Sequence, residues 1–217
     1  MEQNSQSFIE QFTKTMSENI DKLIVFYNGY HFIMFCQLRK LLYENISCLL
    51  LGLNQASIFT TNHLLERMLK VALTETHTKG YFIGNPKFDK RVKEAKEKYD
   101  KATLNNTITY AFEQGIITEE EKTKLVELKN EFRNPFSHAQ MSSIVKEVPP
   151  FFKGFSFNFS KIKEAMKKGE QIPMKEKIIP TDIFYQSYQS DIANEKAFDY
   201  LKTVYEIMIA IDKRYQN

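Results

Sequence analysis

An arginine and a histidine stand five residues apart in the segment Glu131-Phe132-Arg133-Asn134-Pro135-Phe136-Ser137-His138. Arg carries a permanent charge on a planar fork of donors that suits a phosphate, and His titrates near neutrality. Together they form a minimal set for phosphodiester chemistry, and no metal is required. On an unbroken helix that spacing would separate the two side chains by about 140°. Pro135 alters the geometry, because proline lacks an amide proton and disfavours helical backbone at the residue before it. The chain can therefore re-aim one of the pair toward a common pocket. A structural alternative stands beside this reading: Arg133 can pair with Glu127 or Glu131, and His138 can cap a helix or bond a backbone carbonyl.

The elements that would have to position these residues read as helices. Thr118-Glu119-Glu120-Glu121 fits a capping box and starts a helix whose buried face is Leu125, Leu128 and Phe132, with Pro135 limiting its continuation. Upstream, apolar residues recur at helical spacing from Ser7 to about Ile46: Phe8, Phe12, Met16, Ile20, Leu23, Phe26, Tyr30, Ile33, Leu38, Leu41 and Leu42. A break at Asn28-Gly29 divides them into two helices, and a second break falls at Gly52-Leu53-Asn54. A deeply buried helix is expected from Ser57 to about Glu75, a lysine-rich one from Phe88 to Tyr99, and an amphipathic one from Leu104 to Gly115. The final helix is expected from about Ile192 to Arg214, with Phe198, Leu201, Tyr205, Met208 and Ile211 in register. Between residues 148 and 190 the composition changes. Phe155, Phe157 and Phe159 alternate with small polar residues at the period of a strand, and a loop is expected through Gly169, Pro173 and Pro180.

These elements sum to one mostly α-helical domain over residues 1–217, with residues 148–190 as a Phe-rich, loop or short-strand elaboration. Seven Gly and 6 Pro in 217 residues are too few turn residues for a many-stranded sandwich or barrel. Thirty Lys and Arg against 27 Asp and Glu give a net charge of +3, too small for a strongly basic nucleic-acid binder on charge alone. The surplus is local, however. Lys87–Lys101 carries seven basic and four acidic residues, and Lys161–Lys177 six and three, so each stretch is +3 and can be a phosphate-attracting face or a solvated one. Cys36 and Cys48, set among Ile, Met, Phe and Leu, are expected to act as small apolar side chains. No stretch is long and apolar enough for a membrane span, and the polar start lacks a signal-peptide segment, so the expected location is the cytosol. A Gly-rich phosphate loop, a paired-Cys zinc pattern and a Gly-x-Ser-x-Gly elbow are all missing from the sequence, which disfavours nucleotide hydrolases, zinc fingers and typical serine hydrolases.

Arg133-Asn134-Pro135-Phe136-Ser137-His138 resembles the RNxxxH form of the Arg-x4-6-His motif of HEPN domains, a superfamily of helical nucleotide-binding proteins of higher eukaryotes and prokaryotes. The context is similar as well: Leu64-Leu65-Glu66-Arg67-Met68-Leu69-Lys70 on a buried helix, then Ala111-Phe112-Glu113-Gln114-Gly115-Ile116-Ile117, then the capped helix running into the motif. The resemblance covers roughly Leu41 to Gln140, less than half of the chain. It implies an up-and-down helical bundle and a metal-independent endoribonuclease, without cofactor, that cleaves RNA through attack by the 2′-OH. In it His138 is the general base or acid, Arg133 holds the scissile phosphate, and Asn134 orients the motif or donates to phosphate. A homodimer sharing one cleft, a toxin or antiviral-defence setting and an antitoxin or defence-system partner are implied in the same way. Some members bind RNA, nucleotide or a partner protein without cleavage, and that is the alternative expectation.

Glu66 and Arg67 are candidate supports of the same cleft, against an ordinary helical ion pair between Glu66 and Lys70. His63 lies three residues before Glu66, a spacing that allows metal ligation, but no second ligand pair accompanies it. His31 and His77 have no recognisable partners. Exposed rings around Tyr185, Tyr188 or Phe151 could stack on bases, although core packing accounts better for most of the 18 Phe and 11 Tyr.

Overall fold

The computed structural model describes residues 2–27, 29–137, 149, 151–156, 158–172 and 174–216. The elements are α1 (Glu2–Tyr27), a 3-10 turn (Cys36–Leu38), α2 (Arg39–Leu50), α3 (Asn54–Thr78), α4 (Pro86–Tyr99), α5 (Leu104–Glu113) and α6 (Glu119–Leu128). A π-helical turn (Lys129–Arg133) leads into α7 (Asn134–Ser137), then β1 (Phe151–Ser156), α8 (Phe159–Lys168), β2 (Lys175–Pro180), a 3-10 turn (Thr181–Phe184) and α9 (Tyr185–Gln216). The chain is thus mostly α-helical, with one two-stranded antiparallel sheet among the described residues.

The bundle is organised around α3, which packs against α2, α4, α5 and α9. A helix with neighbours on so many sides must be apolar around most of its circumference. Accordingly Ile58, Leu64, Leu65, Met68, Leu69, Ala72 and Leu73 are all fully buried. Asn45 is buried beside them and bridges the hydroxyls of Ser57 and Thr61 at 2.6 and 2.7 Å, so the polar atoms between α2 and α3 satisfy one another.

Punctuation of the chain follows local chemistry. Thr118 and Glu121 form the expected capping box, the Thr hydroxyl accepting from the Glu121 amide at 3.2 Å and the Glu carboxylate accepting from the Thr118 amide at 2.8 Å. The same carboxylate accepts from Arg214 at 2.7 Å, which ties the start of α6 to α9. At the end of α1, a Cβ on Gly29 would collide with the Tyr205 hydroxyl and lie 2.6 Å from the Val25 carbonyl oxygen, so the close approach requires glycine. The connector after it is held by Asp212, a fully buried carboxylate that accepts from the amides of Ile33 (3.2 Å) and Met34 (2.7 Å).

Several expectations are corrected. Of the apolar series in α1, Leu23 and Phe26 are buried, whereas Met16 and Ile20 are exposed. Asn19 donates to the Leu49 carbonyl oxygen at 3.1 Å and Thr15 approaches Gly52, so α1 meets the end of α2 through Thr15 and Asn19 and leaves Met16 and Ile20 outside the contact. Cys36 is exposed rather than a packed apolar side chain, and Cys48 is half-buried. The expected loop after Phe159 contains α8 and β2, and the last helix starts at Tyr185 instead of Ile192. The strand exists, but it runs over Phe151–Ser156, and Phe159 begins α8.

Candidate functional site

Arg133 closes the π turn that follows α6. A π turn holds one more residue than an α turn, so it rotates everything after it relative to the preceding helix face. Pro135 therefore does not stop the helix. Asn134 keeps helical backbone angles (φ −68°, ψ −51°), and Pro135 sits in the first turn of α7, where a missing amide proton costs little. Phe132 and Phe136 both remain buried across the turn, 6.4 Å apart between ring centres.

The widened turn carries Arg133 onto α3 rather than along α6. Its Nε donates to Glu66 Oε1 at 3.0 Å, with the two side chains 26% and 30% exposed. One terminal nitrogen lies 3.5 Å from Asn134 Oδ1. The pairs with Glu127 or Glu131 do not form: Glu127 accepts from Lys124 at 3.2 Å, and Glu131 is exposed. Nor does Glu66 pair with Lys70, whose ammonium donates to the Asp100 carbonyl oxygen at 2.6 Å.

Beneath the ion pair lies a tyrosine that the sequence reading passed over. Tyr200 of α9 is buried, stacks on Phe132 at 4.4 Å between ring centres, and donates to Asn62 Oδ1 at 2.7 Å. Asn62 is one turn before Glu66 on α3, so both polar side chains face the same way. Burial, and next the Glu66 carboxylate, push the Tyr200 hydroxyl well above the ordinary tyrosine range, with Arg133 partly offsetting them. Tyr200 is thus held neutral as a donor under the charged pair. Its signal in the sequence was the α9 series Ala193, Ala197, Tyr200 and Val204, which keeps helical spacing and is buried throughout.

The arrangement unites Arg133, Asn134, Glu66, Asn62 and Tyr200. It does not include Arg67, which is exposed and instead lines a cavity of about 230 Å³ with Gln37, Lys70, Glu75, Lys96 and Asp100. His138 lies outside the described residues. His31 and His63 are exposed, and His77, contrary to expectation, has a partner in Glu94 at 3.4 Å. Among the described residues no three His, Cys, Asp or Glu side chains converge as metal ligands.

Chemically, Arg133 is a cation oriented by a carboxylate at the edge of a buried aromatic floor, a geometry that suits a fixed phosphate contact. Of the stacking candidates, Phe151 is 57% exposed, Tyr188 36% exposed and Tyr185 half-buried. No helix of the described residues is long and apolar enough to cross a membrane. Compared with models of protein families, with curated proteins and with solved structures, the chain matches none.

Proposed function

We propose that the chain is a metal-independent endoribonuclease of the HEPN kind, with Arg133, Asn134 and His138 as its reactive set. The observation that carries the reading is the widened turn at Lys129–Arg133, which places the motif arginine beside Glu66 and Asn134 at the bundle surface. Without it, a plain α-helix would continue along the face of α6.

In the proposed reaction the RNA 2′-oxygen attacks the adjacent phosphorus, the 5′-oxygen departs, and a 2′,3′-cyclic phosphate and a 5′-hydroxyl remain. His138 takes the 2′ proton or gives one to the leaving oxygen. Arg133 contacts the phosphate and offsets the charge that develops on it, and Asn134 orients the arginine or donates to the same group. Glu66 is a positioning residue, since it acts through Arg133. A homodimer bringing two motifs to one cleft belongs to this reading, because one Arg and one His make a sparse site. A toxin or antiviral-defence role, with an antitoxin or defence-system partner, is its expected setting.

One observation favours a second reading, a non-catalytic module that binds RNA, nucleotide or a protein: the Arg133 Nε is already engaged by Glu66. The two are separated by incubating wild type and His138→Ala with mixed RNA in excess EDTA. The nuclease reading expects cleavage lost in the variant with folding and RNA binding retained. The binding-module reading expects no cleavage by either protein.

A further inference from the structure

The segment from β1 to β2 forms an arm whose surface chemistry is unlike the rest of the chain. It holds seven Lys (153, 161, 163, 167, 168, 175 and 177) and three Glu (164, 170 and 176), a net charge of +4, against a whole-chain value of +3. All seven lysines are exposed, and among the described residues none of them makes an ion pair. Such a cluster attracts a polyanion.

The pleat sorts the rings. Side chains alternate along a strand, and directly paired residues of neighbouring strands share a face. The register Phe151↔Pro180, Lys153↔Ile178 and Phe155↔Glu176 therefore puts Phe151, Lys153 and Phe155 on one face. The opposite face is covered at one end, where Phe152 meets Phe184 at 4.9 Å between ring centres and Ile179 fills the space over Gly154, where a Cβ would collide with it; Lys175 and Lys177 on that face are exposed. The outer face is left with Phe151 and Phe155 each 57% exposed and Lys153 between them, and with the exposed Ile178 and Glu176 opposite on β2. Four residues of strand separate the two rings by about 13 Å, so each can hold its own base while the lysine meets phosphate.

We propose that this face is a binding platform for single-stranded RNA, with Phe151 and Phe155 stacking on bases and Lys153 on the backbone between them. The proposal rests on the ribonuclease reading for the choice of RNA as the polyanion. An anionic membrane is less well matched, because it requires a continuous apolar face. Here one residue on each strand, Lys153 and Glu176, interrupts the apolar residues Phe151, Ile178 and Phe155 with charge.

The test uses the full chain and a fluorescein-labelled single-stranded 20-mer with 2′-O-methyl groups, which lacks the attacking hydroxyl and stays intact. Stacking on two rings predicts at least about 30-fold weaker binding for F151A/F155A, with the salt dependence unchanged. Lys153→Ala should lower the slope of log K against log salt by about 0.7. The chain has no Trp, so Phe155→Trp introduces a sole indole whose emission the RNA should quench. Equal affinity of F151A/F155A and wild type, an unquenched indole, or binding to phosphatidylserine vesicles but not to the 20-mer would each overturn the platform. Wild type that binds through these rings yet leaves unmodified RNA intact would uphold the platform and sink the nuclease reading. Cleavage with an unaltered KM in F151A/F155A would do the reverse.

Discussion

The pairing of Arg133 with Glu66 should appear as a measurable coupling in a double-mutant cycle built from Glu66→Gln, Arg133→Gln and the double variant. The Nε to Oε1 distance is 3.0 Å, and the side chains are 26% and 30% exposed. Fully exposed pairs contribute about 0.2–1 kcal/mol, and removing one partner of a fully buried pair costs about 3–5 kcal/mol. A pair about one quarter exposed falls between these limits, and a coupling of about 1.5 kcal/mol is expected. Each single variant leaves the other charge facing a neutral amide, so each should cost more than its share of the double variant. Urea denaturation is the assay, read as a shift in midpoint with an unchanged slope. A coupling under about 0.3 kcal/mol would refute the reasoning, because Arg133 would then not be held by α3. Under the ribonuclease reading Glu66→Gln should also slow RNA cleavage about tenfold, since the arginine loses its orientation.

Tyr200→Phe removes the bond to Asn62 and should cost about 1 kcal/mol at neutral pH. It should also change the alkaline limb of the stability curve. Unfolded tyrosine titrates at about pH 10, and in the folded chain Tyr200 keeps its proton beyond that, so stability is full below pH 10 and falls above it. That group contributes a loss of about 1.4 kcal/mol per pH unit, which the Phe variant should lack when its urea midpoints are followed from pH 9 to 11. Asp212→Ala leaves the Ile33 and Met34 amides without their acceptor and should cost about 3 kcal/mol by urea denaturation. Asp212→Asn, which retains one acceptor oxygen, should cost about half as much. Gly29→Ala should lower stability by about 2 kcal/mol, because the Tyr205 hydroxyl and the Val25 carbonyl occupy the place of the new methyl. No change in thermal midpoint in that variant would show that the junction can shift.

Features set by near neighbours in the chain were readable before the structure. Thr118 and Glu121 announce a helix start, Gly29 marks a break, and the apolar run from Ile58 to Leu73 marks the central helix, because each shows as a residue type or spacing within a few positions, whatever distant residue it packs against. The partner of Arg133 was not readable. Glu66 is 67 residues away, and local spacing offered Lys70 to the one and Glu127 or Glu131 to the other. Pro135 read as a limit on the helix because an α-turn needs its amide; the chain instead stays helical through Ser137, with Pro135 in the first turn of α7. The arm hid for another reason. Its helix keeps an apolar period through Phe159, Ile162, Ala165 and Met166, but Phe159 also continues the alternation of Phe155 and Phe157 and so read as strand, and the second strand is mostly exposed and leaves no apolar alternation. Asn158 accepting from the Ser160 amide, and Gly169 at φ +68° after Lys168, were cap signals that could have revealed α8.

The central claim is tested most directly by mapping the ends of RNA incubated in excess EDTA with wild type, Arg133→Ala and His138→Ala. The account predicts cleavage by wild type alone, leaving 2′,3′-cyclic phosphate and 5′-hydroxyl ends, while both variants stay folded. Cleavage by all three proteins, or no cleavage by a wild type that binds the RNA, would contradict it.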